Sequence, residues 1–155
     1  MPPATTRAPR ASTQALAVLV VDEDPVARRS YSEHLRLKGW IAFTATNGRC
    51  GIDKATNLMP DVIVLDLQLP QVDGWTVLNV IRESSWTAEI PVVVVTALAG
   101  VRDEALRMGA DAYLTKPCEP EVLWLQIRAL LRFRAAIGTP SCLAKCARYL
   151  SRCSS

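Results

Sequence analysis

The sequence predicts an α/β fold, a doubly wound five-stranded parallel sheet with helices on both faces. Three observations carry this expectation. Strand-like and helix-like segments alternate five times along the chain, which is the order that builds a parallel sheet. The runs at 16–21, 62–65 and 92–95 are wholly apolar and rich in β-branched residues, as strands covered on both faces require. Each of these runs then stops at a polar residue, and ligands bind at the carboxyl edge of such sheets.

Composition agrees with one folded domain. At 155 residues the chain can bury a full core, and half of it is hydrophobic against 21% charged. No apolar run reaches the ~18 residues of a membrane span. No apolar segment precedes Leu16, so a secretory signal is not expected. The five cysteines (Cys50, Cys118, Cys142, Cys146, Cys153) are odd in number and follow no tight pairing scheme, which favours a reduced, cytoplasmic protein. Charge is unevenly spread. Residues 18–131 hold all 15 acids but only 11 of the 18 basic residues, whereas 1–17 and 132–155 hold two and five basic residues and no acids. The pI near 8.7 therefore belongs to the tails. A basic tail can attract nucleic acid or an acidic partner, although so few charges also suit a solubilising appendage.

The elements follow in order. Residues 1–14, rich in Pro, Thr, Ala and Arg without periodicity, are expected to be disordered. The folded domain is expected over 15–133. Its first strand ends in Asp22-Glu23-Asp24, and Pro25 then opens a helix with Asp24 as its cap. Val26, Arg29, Ser30, Glu33, His34 and Leu37 recur at helical spacing up to Gly39, with His34 read as a surface residue. A strand over 40–45 and a helix over 47–57 follow, the helix weakened by Gly48 and Gly51 at about 1 kcal/mol each. The central run Val62-Ile63-Val64-Leu65 stops at Asp66, before Pro70 and Asp73-Gly74. Helical spacing returns over 75–83, the fourth strand ends on Thr96, and a short helix over 101–108 stops at Gly109. Ala112-Tyr113-Leu114 forms the fifth strand, ahead of Thr115-Lys116-Pro117. The last helix spans 119–133, with Val122, Leu123, Leu125, Ile127, Leu130 and Leu131 toward the core.

Parallel strands bring their carboxyl ends to one edge. Asp22, Glu23, Asp66, Thr96 and Lys116 are thereby expected to converge. Three carboxylates repel unless a cation joins them, and hard oxygen donors suit Mg²⁺. A lysine adds fixed positive charge, and a threonine hydroxyl can bond a phosphoryl oxygen. Such a site stabilises a transferring phosphoryl group, with a carboxylate as nucleophile.

The segments VLVVDEDP, DVIVLDLQLPQVDGW, PVVVVTALAG and GADAYLTKP occur in the order and spacing of a known family. From Leu16 to about Phe133 the chain resembles the receiver domain of two-component response regulators. The resemblance implies a flavodoxin-like sheet of order 2-1-3-4-5. It implies that Asp66 takes a phosphoryl group from a sensor histidine kinase or a histidine phosphotransfer protein. Asp22, Glu23, Asp66 and the backbone carbonyl of Gln68 would hold Mg²⁺, with Glu23 the more direct ligand and Asp22 acting largely through water. Thr96 and Lys116 would grip the phosphoryl oxygens, while Ala97 keeps the approach open. Gln68 and Leu98 stand where the family tunes phosphoryl lifetime. Thr96 would move toward the phosphate and Tyr113 would rotate inward after it. That would reshape the fourth helix, fifth strand and fifth helix, where a downstream target or a second copy binds.

Two other readings stay in view. Asp22 as nucleophile and Asp24 as acid/base, with Thr96 and Lys116, loosely fit a haloacid-dehalogenase-like phosphatase. That reading leaves DLQLPQVDG unexplained. The other is a receiver-like binding module that is never phosphorylated, against which the intact set of site residues argues. The tail over 134–155 is basic and too short for a DNA-binding output domain. Thr139-Pro140-Ser141 reads as a helix start, and Cys142, Leu143, Cys146, Leu150 and Cys153 recur at helical spacing. A short docking helix and a frayed end both remain open, and three cysteines without a fourth ligand make a weak zinc site.

Overall fold

The computed structural model describes residues 15–137. Its elements are β1 (Ala17–Val21), α1 (Pro25–Leu37), β2 (Ile41–Ala45), α2 (Gly48–Leu58), β3 (Val62–Leu65), α3 (Gly74–Glu83), β4 (Val92–Thr96), α4 (Arg102–Arg107), β5 (Ala112–Thr115) and α5 (Pro120–Ala136). The expected disorder of 1–14 and the helical spacing and cysteines of the tail beyond 137 lie outside the described residues.

All strand pairs are parallel, in the order β2-β1-β3-β4-β5, as expected. Register does the work of assembling the polar edge. Val21 pairs with both Ala45 and Leu65, so Asp22 and Asp66 leave neighbouring strands at the same level. Thr96 pairs with Thr115, so Lys116 emerges one residue further on, its N–H donating to the Thr96 carbonyl at 2.9 Å.

Alternation along the strands divides the core in two. Leu19, Val21, Ile63, Leu65, Val92 and Val94 pack with α2, α3 and α4, and Tyr113 joins them. Val18, Val20, Val62, Val64, Val93 and Val95 pack instead against Tyr31 and Leu35 of α1 and Leu123 and Ile127 of α5.

The helices begin where the sequence places them. Asp24, Asn47 and Asp73 cap α1, α2 and α3 by accepting from Val26, Cys50 and Thr76 N–H groups. Gly39, at φ +87°, takes the left-handed conformation that ends α1. The faces are less well foreseen. Val26 and Leu37 are 74% and 86% exposed, and the buried stripe of α1 is Tyr31, Ser32 and Leu35. Both sets have helical spacing, so periodicity alone could not choose between them. His34 lies at the surface, partly covered, with Nε2 2.7 Å from the Glu121 carboxylate of α5. In α5 only Leu123 and Ile127 are fully buried, Leu130 and Leu131 are partly so, and Val122 and Leu125 are about half exposed. One face of a helix cannot hold all six. Helix α5 also runs past Phe133, to Ala136. Helix α2 forms although it contains two glycines, and both are buried, so packing outweighs propensity there.

The amino edge of the sheet carries its own fastening. Arg82 donates to the carbonyls of Gly109, Ala88 and Ile90 and to the Asp111 carboxylate, which also accepts from Val92 N–H and Arg134. The polar carboxyl edge is relieved of that duty.

Gly74, the first residue of α3, lies directly on the central loop, and a Cβ there would collide with backbone atoms of Asp66 and Leu67. Gly74→Ala is expected to destabilise the protein by about 1–3 kcal/mol in urea unfolding, although alanine is the better helix former. Unchanged or increased stability would contradict this packing.

Candidate functional site

The site is built from three strand ends. Asp22 and Asp66 are 3% and 5% exposed, and Lys116 reaches both. Its Nζ donates to Asp22 Oδ2 at 2.6 Å and to Asp66 Oδ2 at 2.8 Å. The other carboxylate oxygens are also engaged, Asp22 Oδ1 by Asp24 N–H at 2.9 Å and Asp66 Oδ1 by Gln68 N–H at 2.9 Å. These last two bonds are turns made by each aspartate on its own loop, so sequence-local chemistry orients both side chains.

One ammonium between two buried carboxylates leaves the charges unevenly matched. Burial pushes the Asp22 carboxyl above the usual carboxylate range, the Asp66 charge adds to this, and the Lys116 and Asp24 N–H bonds only partly offset it. For Lys116 burial acts downward, but the bonds and charges of Asp22 and Asp66 outweigh it and the ammonium is held above its ordinary value. The two partners thus respond differently to one contact. Lys116 gains two anions, whereas Asp22 gains half a cation and keeps an anionic neighbour.

The remaining expected residues are placed as follows. Glu23 is exposed, and among the described residues no three His, Cys, Asp or Glu side chains converge enough to hold a metal ion. Of the three acids at the strand ends, Asp22 and Asp66 are drawn together by Lys116, and Glu23 faces solvent. Arg28 Nη1 explains the geometry, because it grips the carbonyls of Asp22 and Glu23 and turns the loop into α1. Thr96 is fully buried at the end of β4, its hydroxyl accepting from Leu98 N–H at 3.4 Å. Gln68 and Ala97 are exposed, and Leu98 is half-buried. Tyr113 already stands inward, buried, with its hydroxyl donating to the Leu98 carbonyl at 2.6 Å. Inward rotation is thus no motion left to make from this conformation. Two contributors escaped the sequence reading. Arg28 showed no local pattern, and Tyr31, the only aromatic residue in α1, donates from its hydroxyl to the Cys118 carbonyl.

The donor set fits Mg²⁺. That ion takes hard oxygen ligands, often one or two carboxylates with water and phosphate completing its shell. Two adjoining buried carboxylates offer this. The phosphatase arrangement fits less well, because the Asp24 carboxylate is occupied as the cap of α1, accepting from Val26 N–H at 3.0 Å.

Comparison with known proteins converges on one family. Residues 18–128 match the response regulator receiver domain. The chain is 42% identical over 117 residues to the DNA-binding dual master transcriptional regulator RpaA of Synechocystis, covering 74% of this chain and 48% of that protein. It is also similar in structure to the chemotaxis response regulator CheY4 of Vibrio cholerae, with TM-score 0.71 and 28% identity over 76% of this chain and 99% of that one. A third is the receiver domain of a Pseudomonas aeruginosa sensor histidine kinase, described with a magnesium ion coordinated in its active-site cleft. Its TM-score is 0.67 and its identity 28%, over 77% of this chain and 97% of that one. The chain spans about half the length of the curated relatives it matches. No described helix is long and apolar enough to cross a membrane.

The raised Asp22 carboxyl makes a stability prediction. A group that binds its proton more tightly when folded weighs against the fold above its folded pKa, and this penalty disappears as pH falls below its unfolded value of 3.8. Asp22→Asn is therefore expected to raise the metal-free melting temperature at pH 7, with each ~1 kcal/mol regained worth about 2–8 °C across domains of ~60–250 residues. The gain should shrink on acidification toward pH 4. A lower melting temperature at pH 7 would contradict the charge imbalance.

Proposed function

The chain belongs to the response regulator receiver family, and from that premise we propose that Asp66 is its phosphoacceptor. The observation that carries the proposal is Lys116, whose ammonium is shared between Asp66 and Asp22 at the carboxyl edge of the sheet. The donor is a phosphohistidine on a sensor histidine kinase or a histidine phosphotransfer protein. An Asp66 carboxylate oxygen attacks phosphorus, the P–N bond breaks, and the histidine nitrogen leaves with the electron pair. Lys116 gives up its bond to Asp22 and neutralises the charge spread over the phosphoryl oxygens. The Thr96 hydroxyl donates to another of those oxygens.

Asp22 and Asp66, with Glu23 and the Gln68 carbonyl brought in on binding, would hold Mg²⁺. The ion supplies positive charge to the carboxylates and phosphoryl oxygens. Gln68 and Leu98 flank the acyl phosphate, and a half-buried Leu98 limits the approach of water to it.

Signalling follows the bonds already present on the α4 side. Thr96 Oγ1 accepts from Leu98 N–H, and Tyr113 holds the Leu98 carbonyl, so one residue links the hydroxyl that meets the phosphate to the ring beneath α4. The structure has the ring inward, and phosphorylation favours that state in an equilibrium with an outward one. The output is a partner or a second copy on the face of α4, β5 and α5. Relatives named as transcriptional regulators match this chain over about half their own length, and we place its phosphoacceptor role in the cytoplasm, where kinase and ATP meet.

Intact mass after incubation with acetyl phosphate and Mg²⁺ tests the assignment. One alkali-labile phosphoryl adduct is expected on the wild type, none on Asp66→Ala, and a rate lower by about 100-fold or more on Lys116→Ala. An adduct that survives Asp66→Ala and disappears in Asp22→Ala would overturn the reading in favour of the phosphatase arrangement.

A further inference from the structure

We infer that Tyr31 is a positioning residue for Lys116, acting through the turn that joins β5 to α5. The inference rests on the proposed role of Lys116, but its first test does not. Tyr31 lies on α1, away from the strand ends, and is 4% exposed. Its hydroxyl donates to the Cys118 carbonyl at 3.2 Å, across 87 residues of sequence. The turn Lys116-Pro117-Cys118 is thereby fastened at both ends. Lys116 N–H is held by the Thr96 carbonyl, and the Cys118 carbonyl is held by Tyr31.

A purely structural reading of Tyr31 would ask only for an apolar side chain. It belongs to the buried layer of Val18, Val20, Leu35, Leu123 and Ile127, a setting that leucine or phenylalanine would fill without a buried hydroxyl. The hydroxyl has a partner on the site's own loop, and the phenol feels the site's charges. Its pKa is pushed up to about 12, first by burial, then by Cys118, with Asp22 and Asp66 adding and Lys116 opposing. It is therefore a fixed donor across the physiological range.

The consequence concerns a flexible side chain. Lysine is a point charge on a four-carbon stem, so its reach depends on where its backbone is held. With the turn fastened, the ammonium rests between Asp22 and Asp66 and is ready for a phosphoryl group on Asp66. With the turn loosened, the ammonium spends less time there. Two effects follow. Phosphoryl transfer slows, and Mg²⁺, which competes with the ammonium for the same two carboxylates, binds at least as tightly as before.

The test uses Tyr31→Phe and, as a second variant lacking the hydroxyl, Tyr31→Leu. In metal-free protein, an amine-acylating reagent with peptide mapping should label Lys116 about 3- to 10-fold faster than in the wild type, in keeping with a displacement smaller than the 1 Å that costs ~10²-fold in catalysis. Lys38 and Lys54, bonded to Glu121 and to the Thr44 carbonyl, should label as before. The rate at saturating acetyl phosphate should fall by a similar factor with KM little changed, while Mg²⁺ affinity holds or rises. Equal labelling of Lys116 in variants and wild type would overturn the inference. So would faster labelling of all three lysines together, which marks general loosening. A wild type that takes up no phosphoryl group would defeat the functional reading instead, and the labelling result would still decide the role of Tyr31.

Discussion

Two carboxylates buried side by side and one ammonium to serve them both is the constraint on which the rest of this molecule turns. The register of a parallel sheet brings Asp22 and Asp66 to one level, and neither can be moved without shifting a whole strand. Like charges in a dry setting repel, and removing them from water already weighs against the fold. Lys116 answers part of that demand and leaves part unmet, which is why burial keeps the Asp22 carboxyl raised even with an ammonium at 2.6 Å. A site left short of positive charge is one that gains from a divalent cation.

The fold can carry this imbalance because its stability is secured elsewhere. The two apolar layers cover both faces of the sheet, and Arg82, Asp111 and Arg134 tie the loops of the opposite edge. The carboxyl edge is then linked to each face by a separate thread. On the α4 side the thread is Thr96, Leu98 and Tyr113, suited to report the state of the site. On the α1 and α5 side it is Tyr31 and Cys118, suited to hold the site's lysine in place.

Much of this was legible in the sequence. Uniform apolar runs gave strands covered on both faces, and their polar termini gave Asp22, Asp66, Thr96 and Lys116, because a parallel sheet leaves little freedom in where strand ends fall. Caps were legible for the same reason, since Asp24, Asn47 and Asp73 act within two or three residues of themselves. What escaped depends on distance. The buried face of α1, through Tyr31 and Leu35, is a choice made by α5 and the sheet and not by α1. Glu23 stays exposed because Arg28 turns its loop, and Tyr31 meets Cys118 only once the chain has closed. His34 meets Glu121 for the same reason. The inward Tyr113 is a matter of rotamer, which spacing along a strand does not fix.

The most direct test of this account is a crystal structure with Mg²⁺ and a beryllofluoride adduct, which mimics a phosphoryl group on a carboxylate. The account predicts the adduct on Asp66, with the Lys116 ammonium moved from Asp22 onto a fluorine and the cation in its former place beside Asp22. An adduct on Asp22, or an Asp66 adduct with Lys116 still bonded to Asp22, would contradict it.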